Sequence, residues 1–151
     1  MRVTEVLFYH MTVSTLEDAL PGLLERSLSR GWRAVVQTAS EERRNALDTL
    51  LWTFRDDSFL AHGLDTEPNA SEQPILLTAG DGNSNSARVR FVVDGAVPPD
   101  LSTYERGVLL FDGHDESQVS AARSHWRGLK EKGHDVTYWQ QTEDRRWERK
   151  A

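Results

Sequence analysis

The sequence contains no cysteine in its 151 residues. Disulfides and zinc sites built on thiolates are therefore excluded, which fits a reducing cytoplasm. No apolar run approaches the ~20 residues that a membrane-spanning helix needs. The first residues, MRVTEVLFYHMT, hold a short apolar patch with Glu5 inside it and no small-residue cleavage site, so they read as a strand and not a signal peptide. There is no internal repeat, and low complexity is confined to GDGNSNS at 80–86. Positive charge is in deficit, 18 Lys and Arg against 24 Asp and Glu, for a net charge of -6. Such a chain is repelled by nucleic-acid backbones unless a local basic cluster prevails, so DNA binding by the surface as a whole is not expected.

Several chemistries also lack their residues. The first strand leads into His10-Met11-Thr12-Val13, without a glycine fingerprint or a phosphate-cradling lysine loop. Gly80 and Gly82 are better explained by a surface turn between two strands. His10, His62, His114, His125 and His134 are scattered, with no His-x-x-x-His pair. Asp56, Asp57 and Asp65 are imaginable as carboxylates of a two-metal nuclease, but acidic residues in a loop after a helix are the ordinary solvated kind. No Gly-x-Ser-x-Gly elbow is present. Neither a catalytic residue nor a cofactor is expected.

What is present is a chain of ordinary domain size, 38% apolar and 28% charged. Strands are expected at 3–9, 32–38, 75–78, 89–93, 108–111 and 136–140. A helix capped by Ser14 carries Leu16, Leu20, Leu23, Leu24 and Leu28 at helical spacing; Pro21 interrupts it as a kink or a late first turn, and Gly31 ends it. A second helix starts at Ser40, where Glu41 and Glu42 suit the positive end of the dipole. Ala46, Leu47, Leu50, Leu51 and Phe54 form its apolar stripe. Residues 55–73 read as irregular. A last helix spans 115–132 and stops at Gly133. This alternation predicts an α/β fold, a Rossmann-like three-layer α/β/α arrangement with a mostly parallel, mixed sheet. The antiparallel pair is expected between the strands near 75 and 89. The domain is expected over 1–141, with 142–151 a charged, flexible tail.

Two features point to binding. Trp52 ends the second helix and Phe59 follows in its polar loop. They either pack inward or form an exposed aromatic patch for a protein partner. In the last helix, at ~100° per residue, Arg123, Arg127 and Lys130 share one stripe with Trp126 beside it. Val119, Ala122 and Leu129 take the neighbouring arc, toward the core. A cationic stripe along an apolar edge suits an acidic peptide that ends in an aromatic residue and a free carboxylate.

The same residues carry a resemblance that runs nearly end to end. Phe8-Tyr9-His10 is followed by Leu16 through Pro21 (LEDALP), Gly31-Trp32-Arg33, and Leu47-Asp48 with Leu51-Trp52-Thr53. Then come Ser58-Phe59-Leu60 with His62-Gly63, and Gln73 through Thr78 (QPILLT). The last third adds Phe111-Asp112-Gly113, Trp126-Arg127, Leu129-Lys130, Gly133-His134 and Tyr138 through Gln141 (YWQQ). In order and spacing these stretches resemble the chi subunit family of the DNA polymerase III holoenzyme. Ala61 departs from the proline expected before His62, which loosens the expectation for that loop alone. The resemblance implies a non-catalytic accessory subunit of the clamp-loader complex, linking the psi subunit to the C-terminal tail of single-stranded DNA-binding protein. It places the tail on Arg123, Trp126, Arg127 and Lys130, and psi or a repair helicase on Trp52 and Phe59, with DNA met only through partners. The alternatives are a nucleotide- or metal-dependent enzyme on the Rossmann-like sheet, and direct single-strand binding by stacked Trp and Arg, which the acidic charge opposes.

Overall fold

The computed structural model describes residues 3–53 and 60–151. In chain order the elements are β1 (Glu5–Met11), α1 (Leu16–Ser29), β2 (Ala34–Gln37), α2 (Glu41–Thr53), β3 (Gly63–Leu64), a 3-10 turn (Ala70–Glu72), β4 (Ile75–Thr78) and β5 (Val89–Val92). β6 (Arg106–Asp112), α3 (Glu116–Glu131), β7 (Asp135–Gln141) and β8 (Trp147–Arg149) complete it. The α1 cap is Thr15, one position after the expected Ser14; its side chain accepts from the Asp18 N–H, while Ser14 Oγ is engaged by Gln141. Pro21 lies buried inside α1, and the helix runs on past it to Ser29. Gly31 and Gly133 follow the ends of α1 and α3 at φ of 78° and 87°, the left-handed conformation that glycine adopts most easily.

The strands form one sheet in the order β3-β4-β2-β5-β6-β1-β7-β8. Every pair is parallel except β7 with β8. The mixed sheet is as expected, but its antiparallel pair is not. β4 and β5 do not meet; both run parallel to β2, which lies between them. Residues 79–88 therefore cross back over the sheet instead of closing a hairpin. Their anchor is Arg90 of β5, which is fully buried. Its guanidinium donates to the carbonyls of Gly80 at 2.6 Å and Gly82 at 2.9 Å. The expectation of a simple glycine turn at 80–82 misses this role as acceptors.

The layering follows from the side-chain alternation of the strands. α1 and α2 bury Leu16, Leu20, Leu24, Leu47 and Leu51 against one face of the sheet, on Ala34, Val36, Ile75, Leu77, Val108 and Leu110. α3 buries Ala122 and Leu129 against the other, on Val6, Phe8, Leu109, Phe111 and Val136. The rest of that second face is covered by loops, through Ala87, Ala96, Leu101 and Tyr104. Arg90 ties them together, since it also donates to Tyr104 Oη and, twice, to Gln37 Oε1. At Gly107 a Cβ would stand 2.9 Å from Leu101 Cδ1, so only glycine lets this loop lie so close to β6.

The segment from 142, read from the sequence as a flexible charged tail, includes β8 as an edge strand on β7. Trp147 brings it in: its ring packs 4.5 Å from that of Tyr9 on the α1 face. The irregular 55–73 stretch likewise contains β3 and the 3-10 turn; Phe54, Asp56, Asp57 and Phe59 lie outside the described residues.

Candidate protein-interaction site

α3 is capped by Asp115, whose Oδ1 accepts from the Ser117 and Gln118 N–H groups at 3.0 and 3.2 Å. Docking Ala122 and Leu129 inward turns Arg123, Arg127 and Lys130 outward, and all three are exposed. Among the described residues, neither Arg123 nor Arg127 has a carboxylate within ion-pairing distance. Trp126 sits between the two zones, half-buried. Its ring meets Phe8 edge-on at 5.5 Å and Tyr138 at 5.8 Å. Lys130 Nζ stands 4.9 Å from its centroid, a cation–π contact.

Behind Arg123 lies a pair from two neighbouring strands. Tyr138 of β7 and His10 of β1 are joined at 2.6 Å, Oη to Nδ1. A Cβ at Gly113 would collide with the His10 ring, so this glycine lets the loop after β6 close over it. Burial, then the neighbouring His114 and Arg123, hold the His10 pKa below 6.5 despite Asp112. Burial raises the Tyr138 hydroxyl above 10.0, with Arg123 opposing. The two shifts keep both groups uncharged at neutral pH, and the imidazole tautomer sets which of them donates. The surface thus combines unpaired guanidiniums with a half-buried aromatic wall.

Trp52 lies on the other side of the molecule, since α2 and α3 cover opposite faces of the sheet. It is 50% exposed, and its ring stacks 4.3 Å from the buried His62. His62 is fixed by Asp48 Oδ1 at 2.9 Å and the Leu60 carbonyl at 2.7 Å. The structure does not bring Trp52 and the α3 residues together.

The crevice at the carboxyl ends of β1 and β6 is the place where open α/β sheets hold nucleotides, because the connections from these strands leave to opposite faces. Here it is a cavity of about 290 Å³ lined by Glu17, Arg43, Asp94, Asp112 and His114. Arg43 is taken by Glu17 at 2.9 Å and Asp94 at 3.0 Å. The N–H groups of Thr12, Val13 and Ser14 converge on Gln141 Oε1 at 3.3, 3.0 and 2.9 Å. In a phosphate-binding loop such amides face the ligand; here a carboxamide oxygen fills the position. Asp65 is engaged by Arg44 at 3.1 Å and Thr78 at 2.7 Å. Among the described residues no group of three His, Cys, Asp or Glu is placed to hold a metal ion, and no helix is long and apolar enough to cross a membrane.

The family described as DNA polymerase III chi subunit, HolC, matches over residues 3–137. The chain belongs to the DNA polymerase III chi subunit family. A Pseudomonas aeruginosa protein named DNA polymerase III subunit chi is 27% identical over 114 residues, 76% of this chain and 78% of that protein. A Rickettsia prowazekii protein named "Probable DNA polymerase III subunit chi" is 27% identical over 94 residues, 62% of this chain. That second match spans 55% of the Rickettsia protein, about half its length.

Chi subunits are accessory subunits of a replicative polymerase, and in this chi-family chain the α3 surface includes residues that the sequence pattern does not single out. Tyr138 and His10 stand on strands and read as ordinary strand residues; the alternation that turns both toward α3 is the signal that points to them. Their environment has a measurable consequence. His10, and His125 through burial alone, have folded pKa values below 6.5, so the unfolded chain takes up protons first as pH falls. Their contribution to stability is complete above about pH 6.5 and is lost on acidification through the folded values. The urea midpoint is expected to be lower at pH 5.5 than at pH 7.5, and the difference to shrink in a His10→Asn, His125→Asn double variant. An equal pH dependence in that variant would assign the effect elsewhere.

Proposed function

We propose that this protein is a non-catalytic adaptor of the polymerase III clamp-loader complex, and that α3 binds the acidic C-terminal tail of single-stranded DNA-binding protein. The observation that carries this reading is the pair of exposed arginines, Arg123 and Arg127, without carboxylate partners and flanking the half-buried Trp126. A guanidinium grips a terminal carboxylate with two parallel hydrogen bonds, and the Trp126 edge takes the apolar side chain beside it. Lys130 adds charge while its ammonium stays over the Trp126 ring. The Tyr138 hydroxyl and His10 lie behind Arg123 and extend the same surface. On the opposite face, the exposed Trp52, together with Phe59 outside the described residues, serves the psi subunit or a helicase partner. Placing the two surfaces on opposite faces allows both partners to bind at once, and DNA is met only through the tail-bearing protein. The site of action is the bacterial cytoplasm.

Titration of a fluorescently labelled tail peptide tests the assignment. Arg123→Ala and Arg127→Ala are each expected to weaken binding roughly tenfold, the loss of one charge-assisted hydrogen bond. Affinity should fall as salt rises, because these charges are exposed. Unchanged affinity in both variants would remove the tail from α3.

A further inference from the structure

On the α1 face, beyond α1 itself, no helix among the described residues covers the sheet over β6 and β1. A groove of about 610 Å³ remains there, lined by one flank of α1 and by Tyr9, whose ring packs on that of Trp147. Beneath it lie Val89, Phe91 and Val108 of β5 and β6, each already buried, and the half-buried Leu23 of α1 adds open apolar surface. Its rim carries three cations, Arg26 and Arg30 from α1 and Arg106 from β6, against one carboxylate, the half-buried Glu25 of α1. Arg106 is paired with Glu5 at 2.6 Å. Arg30 lies over the Trp32 ring at 4.3 Å. Among the described residues, no carboxylate is within ion-pairing distance of Arg26 or Arg30.

The Tyr9 hydroxyl opens into this groove and makes no hydrogen bond to any described residue. Burial raises its pKa above 10.0 and Glu5 adds to this, while Arg106 and Arg26 oppose it electrostatically. A protonated phenol beside guanidiniums, at the edge of an apolar floor, offers an anion a directed donor and a screened charge together. We infer that this groove is a second docking site, separate from α3, for an acidic peptide segment of another protein that carries an apolar side chain. A carboxylate of the segment sits between Arg26 and the Tyr9 hydroxyl, and its apolar side chain lies along Leu23.

The rings decide for a peptide over a single-stranded nucleic acid. Base binding needs open aromatic faces. The Trp32 ring is covered by Arg30 at 4.3 Å and approached by Arg106 at 5.3 Å, and Tyr9 is occupied by Trp147 at 4.5 Å. A net charge of -6 on the chain further disfavours a polyphosphate, whereas one or two carboxylates need only the local cations. The volume lies in the range of sites that accept a few side chains.

Gly22 supplies a blocking variant. It lies in α1 on the groove wall, and a Cβ there would meet nothing within 4 Å. Gly22→Leu therefore fills the groove without touching the core and adds helix propensity. The probe is a short labelled peptide of alternating acidic and leucine or phenylalanine residues, acetylated and amidated so that it has no terminal carboxylate, followed by fluorescence anisotropy on the full chain. Binding is expected to weaken roughly tenfold in Arg26→Glu and in Gly22→Leu, several-fold in Tyr9→Phe, and to be unchanged in Arg123→Ala, Arg127→Ala. Absence of binding to the wild-type chain, or binding indifferent to Arg26→Glu and Gly22→Leu, would overturn the site. So would tighter, Arg26-dependent binding of oligothymidylate of equal charge. Failure here leaves the α3 assignment intact, and loss of the α3 site leaves this one intact, since no residue is shared.

Discussion

Arg90→Met is expected to destabilise the fold by about 3 kcal/mol or more, the largest single-residue effect outside the apolar core. The guanidinium is buried without a carboxylate partner among the described residues. Only neutral oxygens compensate it: Gln37 Oε1, Tyr104 Oη and the carbonyls of Gly80 and Gly82. Methionine removes a desolvated charge, which is favourable, but strands these acceptors. The glycine carbonyls lie in an exposed loop and regain water on release. Gln37 and Tyr104 are buried and do not, and the cost of leaving such groups unpaired is about 1–3 kcal/mol each. Release also unties the two loops that stand in for a helix on that face. Urea unfolding followed by circular dichroism measures the sum. Arg90→Lys should recover little, because one ammonium cannot span acceptors on three segments. A midpoint within experimental error of the wild type would mean that the loops hold without the tie.

Gln141→Ala follows at about 2–3 kcal/mol. A single oxygen accepts from the N–H groups of Thr12, Val13 and Ser14, and the amide nitrogen donates to Ser14 Oγ at 2.8 Å. Truncation leaves three donors at the head of β1 with no internal partner. The loop is partly open to solvent, and rehydration offsets part of the loss, which keeps the figure below the full sum of three buried groups. Gln141→Glu is the discriminating control. A carboxylate accepts the same three bonds more strongly and gives up only the one to Ser14. The Glu variant should therefore lie close to wild type while the Ala variant falls; equal losses in both would mean that packing of the side-chain stem, not the amide cluster, fixes the loop.

Both residues show how the tertiary partners reassign groups that a sequence pattern treats as ordinary. Arg90 stands in VRFVV, an apolar strand in which one charge reads as a face turned to water. Gln141 closes YWQQ as one polar strand residue among several. The glycine pair at 80–82 reads as a turn and serves as carbonyl acceptors. In the same way Trp126, which the helical period sets on an exposed edge, is drawn half into the core by Phe8 and Tyr138.

The sequence alone determined the alternation of strands and helices, the two stops at Gly31 and Gly133, and the face of α3 that carries Arg123, Arg127 and Lys130. These depend on periods of two and 3.6 residues and on local backbone preference, all of which lie within one element. Only the tertiary structure decided that β2 separates β4 from β5, that β8 joins the sheet, and that His10 meets Tyr138 behind Arg123. It also decided that the amides above β1 belong to Gln141. The reason is distance along the chain: His10 and Tyr138 are 128 residues apart and Ser14 and Gln141 are 127 apart. A parallel sheet joins its two ends through strands that are adjacent in space and remote in sequence, where no local pattern reaches.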